Sequence, residues 1–340
     1  MTTRHHPSQP TLKQTQPVCS IIVIGEALVD CFPDGDVVGG APFNLARNLG
    51  AFGAAPLIIT RIGNDDLGAA LRAEFDRFNL SCEGLQHDAT RPTGRVDVVI
   101  ADTGHTFAIA DNVAWDFIDP IEAAAVTRRT QPTIVCFGAL AQRTPASRTA
   151  IAAVLEPASD RRVLRVLDLN LRSAAMGNSI ADIAEWSLCH ADIAKVNDDE
   201  LAQLIDWFVP DAASAARDWG SIAHLDAITQ LMNRFPLRNL IVTRGSDGYT
   251  AFDASGTTIA SGKPAAIRIV DTVGAGDAFT AIVVLGETLR WPLTLALARA
   301  NDFASAVCTL RGAVADNIDF YQRWAESWQL QSTVGTEAFA

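Results

Sequence analysis

Residues Asp271 to Thr280 read "DTVGAGDAFT". Two glycines flank one alanine, a carboxylate follows at once, and the run "DAFTAIVVLGETLR" then continues without proline to Trp291-Pro292. The pattern predicts a helix whose first turn holds Gly274, Ala275 and Gly276. The N–H groups of a first turn have no partner inside the helix, and the helix dipole adds positive potential there. Bare glycines let an anion reach that backbone, which suits a phosphoryl group. Asp277, directly beside it, would repel a resting phosphate. It becomes useful when a hydroxyl must lose its proton while attacking phosphorus. The chemistry implied is phosphoryl transfer to an alcohol. A plainer alternative is that Asp277 only gains from the dipole and Gly-Ala-Gly only permits close packing. The stretch fits neither GxxxxGK[ST] nor GxGxxG, since Phe279 stands in the last place.

A second stretch, "GGAPFNLARNLGAFG" (39–53), raises the odds of a site. Gly39 and Gly40 bring backbone close to whatever lies beneath. A helix is expected from near Phe43. Asn44 offers amide donors and a carbonyl acceptor to sugar hydroxyls, or it caps that helix. Asp30 closes "GEALVD". Its carboxylate suits vicinal hydroxyls, or it braces the turn at Pro33.

These residues need a scaffold. Short apolar runs, "IIVIG", "LIITRIG" (57–63), "TIVCFG" (133–138), "VLRVLDLN" (163–170), "ADIAKVN" (191–197) and "NLIVTRG" (239–245), alternate with helical segments such as "DDLGAALRAEFDRF" and "DDELAQLIDWF". Continuous apolar runs suit strands buried on both faces. The alternation predicts an α/β fold with a mostly parallel sheet, and ligands then gather at the carboxyl ends of the strands. Two segments break the rhythm. "CFPDGDVVGG" (31–40) carries a turn between short β-like pieces, and "RVDVVIADTGHTFAIA" (95–110) alternates in period two about Asp-Thr-Gly, as a hairpin does. They are edge decoration or a small β flap over the site.

The bulk numbers limit partners. The chain has 340 residues, 49% hydrophobic content and a formal net charge of −12, which allows one large core and disfavours nucleic acid and anionic membrane as partners. Six scattered cysteines without a CxxC pair suggest reduced thiols and a cytoplasmic setting. The first 18 residues are polar and are expected to form a flexible tail, with a single domain over 19–320 and a terminal helix or tail over 321–340.

Taken together, "GGAPFNLA" with "RIGNDDLG", and later "DTVGAGDAFT", resemble the two signatures of the ribokinase-like (PfkB) carbohydrate kinases. "GEALVD", "DLNLR", "KVNDDE" and "VTRGSDG" fall in the family's order, and "GGAPFN" looks most like its fructokinase branch. The resemblance implies a Rossmann-type three-layer α/β sandwich with a β-sheet lid (about 31–40 and 92–112), ATP with Mg2+, and phosphorylation of a sugar hydroxymethyl group. It makes Asp277 the base and Gly274, Ala275 and Gly276 the anion hole. Asp30, Gly39, Gly40 and Asn44 match sugar-binding positions, Phe107 would cover the sugar, and Arg172 would reach substrate or phosphate, with a surface salt bridge as its alternative. Asn197 and Glu200 match an NxxE motif that organises hydrated Mg2+, and the same spacing suits a capping box. Thr243, Gly245 and Asn301 fall on the ATP side. Lys195 would offset phosphate charge or simply lie on the surface. Asp271 matches a position near a monovalent cation such as K+, although the second loop, around Gly312 to Asp316, departs from the ribokinase pattern. A homodimer paired through the lid is a further expectation. Other acceptors (ribose, 2-keto-3-deoxygluconate, a nucleoside), a non-catalytic binding protein and a dinucleotide oxidoreductase are the competing readings.

Overall fold

The structure is a computed structural model that describes residues 20–330 except 34, 102–103, 160–162 and 216; side chains at 98–101, 104–107, 157–159 and 213–215 also lie outside the description. Thirteen strands are described: β1 (Ile21–Ile24), β2 (Leu28–Phe32), β3 (Gly35–Gly39), β4 (Leu57–Gly63), β5 (Leu85–Asp88), β6 (Gly94–Ala101), β7 (Gly104–Ile109), β8 (Ile134–Gly138), β9 (Leu164–Asp168), β10 (Ile193–Asn197), β11 (Asn239–Thr243), β12 (Tyr249–Asp253) and β13 (Thr258–Gly262). Nine form one sheet in the order β13-β12-β11-β10-β9-β8-β1-β4-β5. Every pair from β11 to β5 is parallel, and the antiparallel β12 and β13 finish one edge.

The apolar runs form central strands because both of their faces are covered. Along β1, Ile22 and Ile24 enter one core while Ile21 and Val23 enter the other. The first core takes Ile151 and Val154 of the helix Pro145–Ser159 and Leu201 and Ile205 of the helix Asp198–Phe208. The second takes Leu45 and Leu49 of the helix Ala41–Ala51 and Phe279 and Val283 of the helix Ala275–Thr288. Helix, sheet and helix make three layers, as burial of a two-faced parallel sheet demands.

The two segments that break the rhythm meet in a separate four-stranded sheet, β3-β2-β6-β7. β2 pairs antiparallel with β3 and parallel with β6, and β6 pairs antiparallel with β7. They are thus a small sheet of their own rather than an edge of the large one. Its anchor is a buried ion pair: Arg143 binds Asp116 at 2.7 Å and donates to the carbonyl of Ala110, the residue that follows β7.

The last described helix, Ile318–Ser327, packs onto the second core. Tyr321 is 2% exposed, and its hydroxyl donates to Asn48 Oδ1 at 3.0 Å. The expected N-terminal tail lies outside the described residues. Among the described residues no helix is long and apolar enough to cross a membrane.

Candidate active site

The carboxyl ends of β1, β8, β9, β10 and β11 present Glu26, Gly138, Asp168, Asn197 and Thr243 along one rim of the large sheet. The helix Ala275–Thr288 starts against this rim. Gly274 caps it at φ +76°, and a Cβ there would lie 2.2 Å from the Ala313 side chain, so only glycine fits the turn. The Ala275 N–H donates to Thr272 O at a long 3.3 Å, so this member of the expected anion hole is already partly engaged. The amides of Gly276 and Asp277 make no hydrogen bond among the described residues, and Gly274 to Gly276 are half-buried, open enough to be reached.

Asp277 is 9% exposed. Burial, and then the nearby Asp168 carboxylate, push its carboxyl up to about 6, while Asn44, Lys195 and Arg172 pull the other way. Asn44 donates from Nδ2 to Asp277 Oδ2 at 2.7 Å. Asn44 is not a cap. The helix begins at Ala41, two residues ahead of expectation, because Gly40 takes φ +101° as the N-cap and Pro42 fits the first turn. Asn44 therefore lies one turn inside and is held by Arg47, which donates to Asn44 Oδ1 at 2.6 Å and pairs with Glu74 at 2.8 Å.

The small sheet brings Asp30 on β2 and Gly39 at the end of β3 to the same place. A Cβ on Gly39 would lie 2.7 Å from Asp30 Oδ2, and one on Gly40 would lie 2.7 Å from the carbonyl of Glu26. Desolvation raises the Asp30 carboxyl to about 6, with Arg172 and Arg47 opposing it. Arg172 is exposed and makes no ion pair among the described residues, yet it bears electrostatically on Glu26, Asp30 and Asp277. The surface salt bridge expected as its alternative is not formed. The backbone of Phe107 lies in β7, and its side chain lies outside the described residues.

Asn197 and Glu200 form the capping box: Glu200 N–H donates to Asn197 Oδ1 and Asn197 N–H to Glu200 Oε2, both at 2.8 Å. Glu200 Oε1 accepts from Leu171 N–H at 2.7 Å. With both oxygens held and the side chain buried, Glu200 fits a metal only through the metal's waters. Thr243 is the register partner of Asn197, and its hydroxyl donates to Val196 O at 3.3 Å. Gly245 turns the chain at φ +49° just beyond. Asn301 is buried on the helix Leu293–Val307. Asp271 ties two loops, accepting from Val273 N–H and Gly312 N–H, each at 3.0 Å. Both of its oxygens thus already serve backbone donors.

Two acids at this rim escaped the sequence reading. Asp168 binds Lys195 at 3.0 Å and accepts from the Thr280 hydroxyl at 2.7 Å. Lys195 is buried, not on the surface. Glu26 is 2% exposed, one of its oxygens lacks a partner among the described residues, and burial raises its carboxyl to about 7. Both acids stand at or just past the end of an apolar strand, which was the available signal. Glu26, Asp168 and Asn170 line one small cleft together with Val23, Cys136 and Val166.

A family model described as "pfkB family carbohydrate kinase" matches residues 23–319. The chain is 29% identical over 308 residues to a fructokinase of Klebsiella pneumoniae, covering 86% of this chain and 94% of that protein. It is also 29% identical over 314 residues to an aminoimidazole riboside kinase of Salmonella typhimurium, covering 86% and 90%. Among solved structures, a fructokinase of Xylella fastidiosa with bound ATP superposes with a TM-score of 0.73 at 18% identity, covering 91% of this chain and 99% of that one. The aminoimidazole riboside kinase of Salmonella enterica, complexed with aminoimidazole riboside and an ATP analogue, gives 0.72 at 22%, covering 90% and 99%. The fold is that of these sugar kinases.

Proposed function

The chain belongs to the PfkB family of carbohydrate kinases, a phosphotransferase that acts on a sugar hydroxyl, and on that premise we propose that it transfers the γ-phosphoryl group of ATP to a hydroxymethyl group of fructose. The observation that carries this reading is the buried Asp277 beside the free amides at the start of its helix, with Asn44 fixing one carboxylate oxygen at 2.7 Å. Asp277 takes the proton of the attacking alcohol. A carboxylate raised toward neutral pH is a better base than a solvated one and is still ionised at pH 7. The amides of Gly276 and Asp277, with a weaker share from Gly274 and Ala275, receive the phosphoryl oxygens. Asp30, Gly39, Gly40 and Asn44 hold the sugar under the small sheet with Phe107, and Arg172 supplies positive charge at the open side. Thr243, Gly245 and Asn301 take the nucleotide. Asn197 and Glu200 would hold the waters of Mg2+, which when bound with ATP would offset phosphate charge. Asp271 shapes the loop where a monovalent cation such as K+ would sit. The fructose assignment follows the 29% identity to a fructokinase. The equal identity to a riboside kinase makes an aminoimidazole riboside the second acceptor to test.

The test is ADP release in a coupled assay with fructose, ribose, 2-keto-3-deoxygluconate and ribosides, on wild type and Asp277→Ala. Fructose is expected to give the highest kcat/KM, and the variant to lose about 10²–10⁴-fold. Wild-type turnover by the variant would remove Asp277 as the base, and a riboside preference would replace fructose.

A further inference from the structure

Lys195 lies on β10, in the middle of the large sheet, and its side chain is 10% exposed. A buried ammonium is costly, and pairing it seldom returns the whole desolvation penalty, so its retention calls for a reason beyond stability. Its partner is Asp168, whose two oxygens lie 3.0 and 3.3 Å from Nζ. Asp168 is itself fixed from the other side by the Thr280 hydroxyl at 2.7 Å, one helical turn beyond Gly276. An ammonium has three donors. Two face Asp168, and the third has no acceptor among the described residues. The position of Nζ is telling: a Cβ built on Gly276 would fall 2.6 Å from it. The missing side chain at Gly276 is therefore the space the ammonium uses, beside the same amide that is free at the start of the helix.

We propose that Lys195 is a catalytic residue of the transfer: Asp168, itself fixed by Thr280, holds its ammonium against the face of Gly276, where it binds an oxygen of the phosphoryl group in passage. The proposal rests on the phosphoryl site read at Gly274–Gly276. In the step, the bond from the sugar oxygen to the γ-phosphorus forms as the bond from that phosphorus to the β,γ-bridging oxygen breaks. The electron pair of the broken bond leaves with ADP, the alcohol proton passes to Asp277, and Lys195 keeps its proton throughout. The charge logic agrees. Asp277, Asp168, Glu26 and Asp30 crowd the rim with carboxyl groups, and a phosphoryl group arriving there needs a fixed cation that does not depend on the exposed Arg172.

The experiment compares wild type, Lys195→Met, the double variant Lys195→Met/Asp168→Asn, and Asp277→Ala by ADP release with fructose, each checked by calorimetry for a folded transition. Lys195→Met leaves the Asp168 carboxylate buried without its cation, whereas the double variant removes both charges together. The double variant is expected to fold, to keep its KM for fructose within about threefold, and to lose about 10²–10³-fold in kcat. A folded double variant with kcat within about tenfold of wild type would overturn the proposal, because Lys195 would then serve only to neutralise Asp168. The Asp277→Ala arm reports on the base alone: its loss of activity beside an active double variant sinks Lys195 and leaves the base standing, and the reverse pattern does the opposite.

Discussion

The amide of Asn44 donates to Asp277 Oδ2 across 2.7 Å, joining two residues 233 positions apart in the chain. One belongs to the first signature, on the helix Ala41–Ala51, and the other to the last, on the helix Ala275–Thr288. These helices pack against each other on one face of the sheet, so the proposed sugar-binding and base positions form a single network. Arg47 completes it by fixing Asn44 Oδ1, which orients the amide nitrogen toward the acid.

Asn44→Ala therefore acts on the base as well as on the sugar. The Asn44 bond favours ionised Asp277, so its loss raises that carboxyl further. The acid limb of the kcat/KM profile is expected to move to higher pH, with a fall of about 10–100-fold at pH 7. A pH profile with fructose checks this, and an unmoved limb would separate Asn44 from the base.

Asp277→Asn should show that the base is held at a cost. The carboxyl rises from 3.8 free to about 6 folded, first by burial and then by Asp168. For a group raised on folding, the stability it contributes is complete below its unfolded value and is lost as pH rises through the folded one. The asparagine variant escapes that loss. Its melting temperature should match wild type near pH 4, exceed it increasingly between pH 4 and 6, and stay several degrees above it at pH 8. Calorimetry across that range reads the outcome, and a less stable variant at pH 8 contradicts it.

Gly274→Ala tests the turn that opens the proposed anion site. At φ +76° an alanine is strained, and its Cβ would meet Ala313 at 2.2 Å. The expected result is a loss of about 1–3 kcal/mol in stability and a fall of about 10²-fold in kcat/KM from displaced amides. Denaturant melts and ADP release measure the two, and unchanged kinetics would mean that the amides do not act.

Much of this arrangement was legible in the sequence because local signals and fold agreed. Apolar runs buried on both faces became the parallel strands, and the glycine turn before Asp277 became a helix start. The capping role of Asn197 and Glu200 and their place on the rim were both readable, since one spacing serves both. Other features depended on distant contacts. The capping alternative for Asn44 fails because Gly40, with its positive φ, starts the helix earlier. The surface alternative for Lys195 fails because its partner, Asp168, stands 27 positions away on the neighbouring strand. No periodicity announces such a pair. Glu26 was hidden for the same reason: the residues that share its cleft, Gly138 and Asp168 among them, lie far along the chain.

Glu26 leads to the last prediction. It is 2% exposed, one carboxyl oxygen is without a partner among the described residues, and its carboxyl is raised from 4.5 to about 7, chiefly by burial, with Asp277 adding to the rise and Arg172 opposing it. Near pH 6 it is mostly protonated, and above pH 8 it adds a further negative charge near Asp277. Glu26→Gln keeps the shape and remains neutral. By the same sign rule its stability advantage over wild type opens between about pH 4.5 and 7 and holds steady above that. Its kcat/KM should match wild type within a few fold at pH 6 and decline less between pH 7 and 9, because no charge develops next to Asp277. Parallel pH profiles of melting temperature and of fructose turnover check both halves. A variant that is destabilised at pH 8, or whose activity collapses already at pH 6, would show instead that the ionised Glu26 carboxylate is what the site requires.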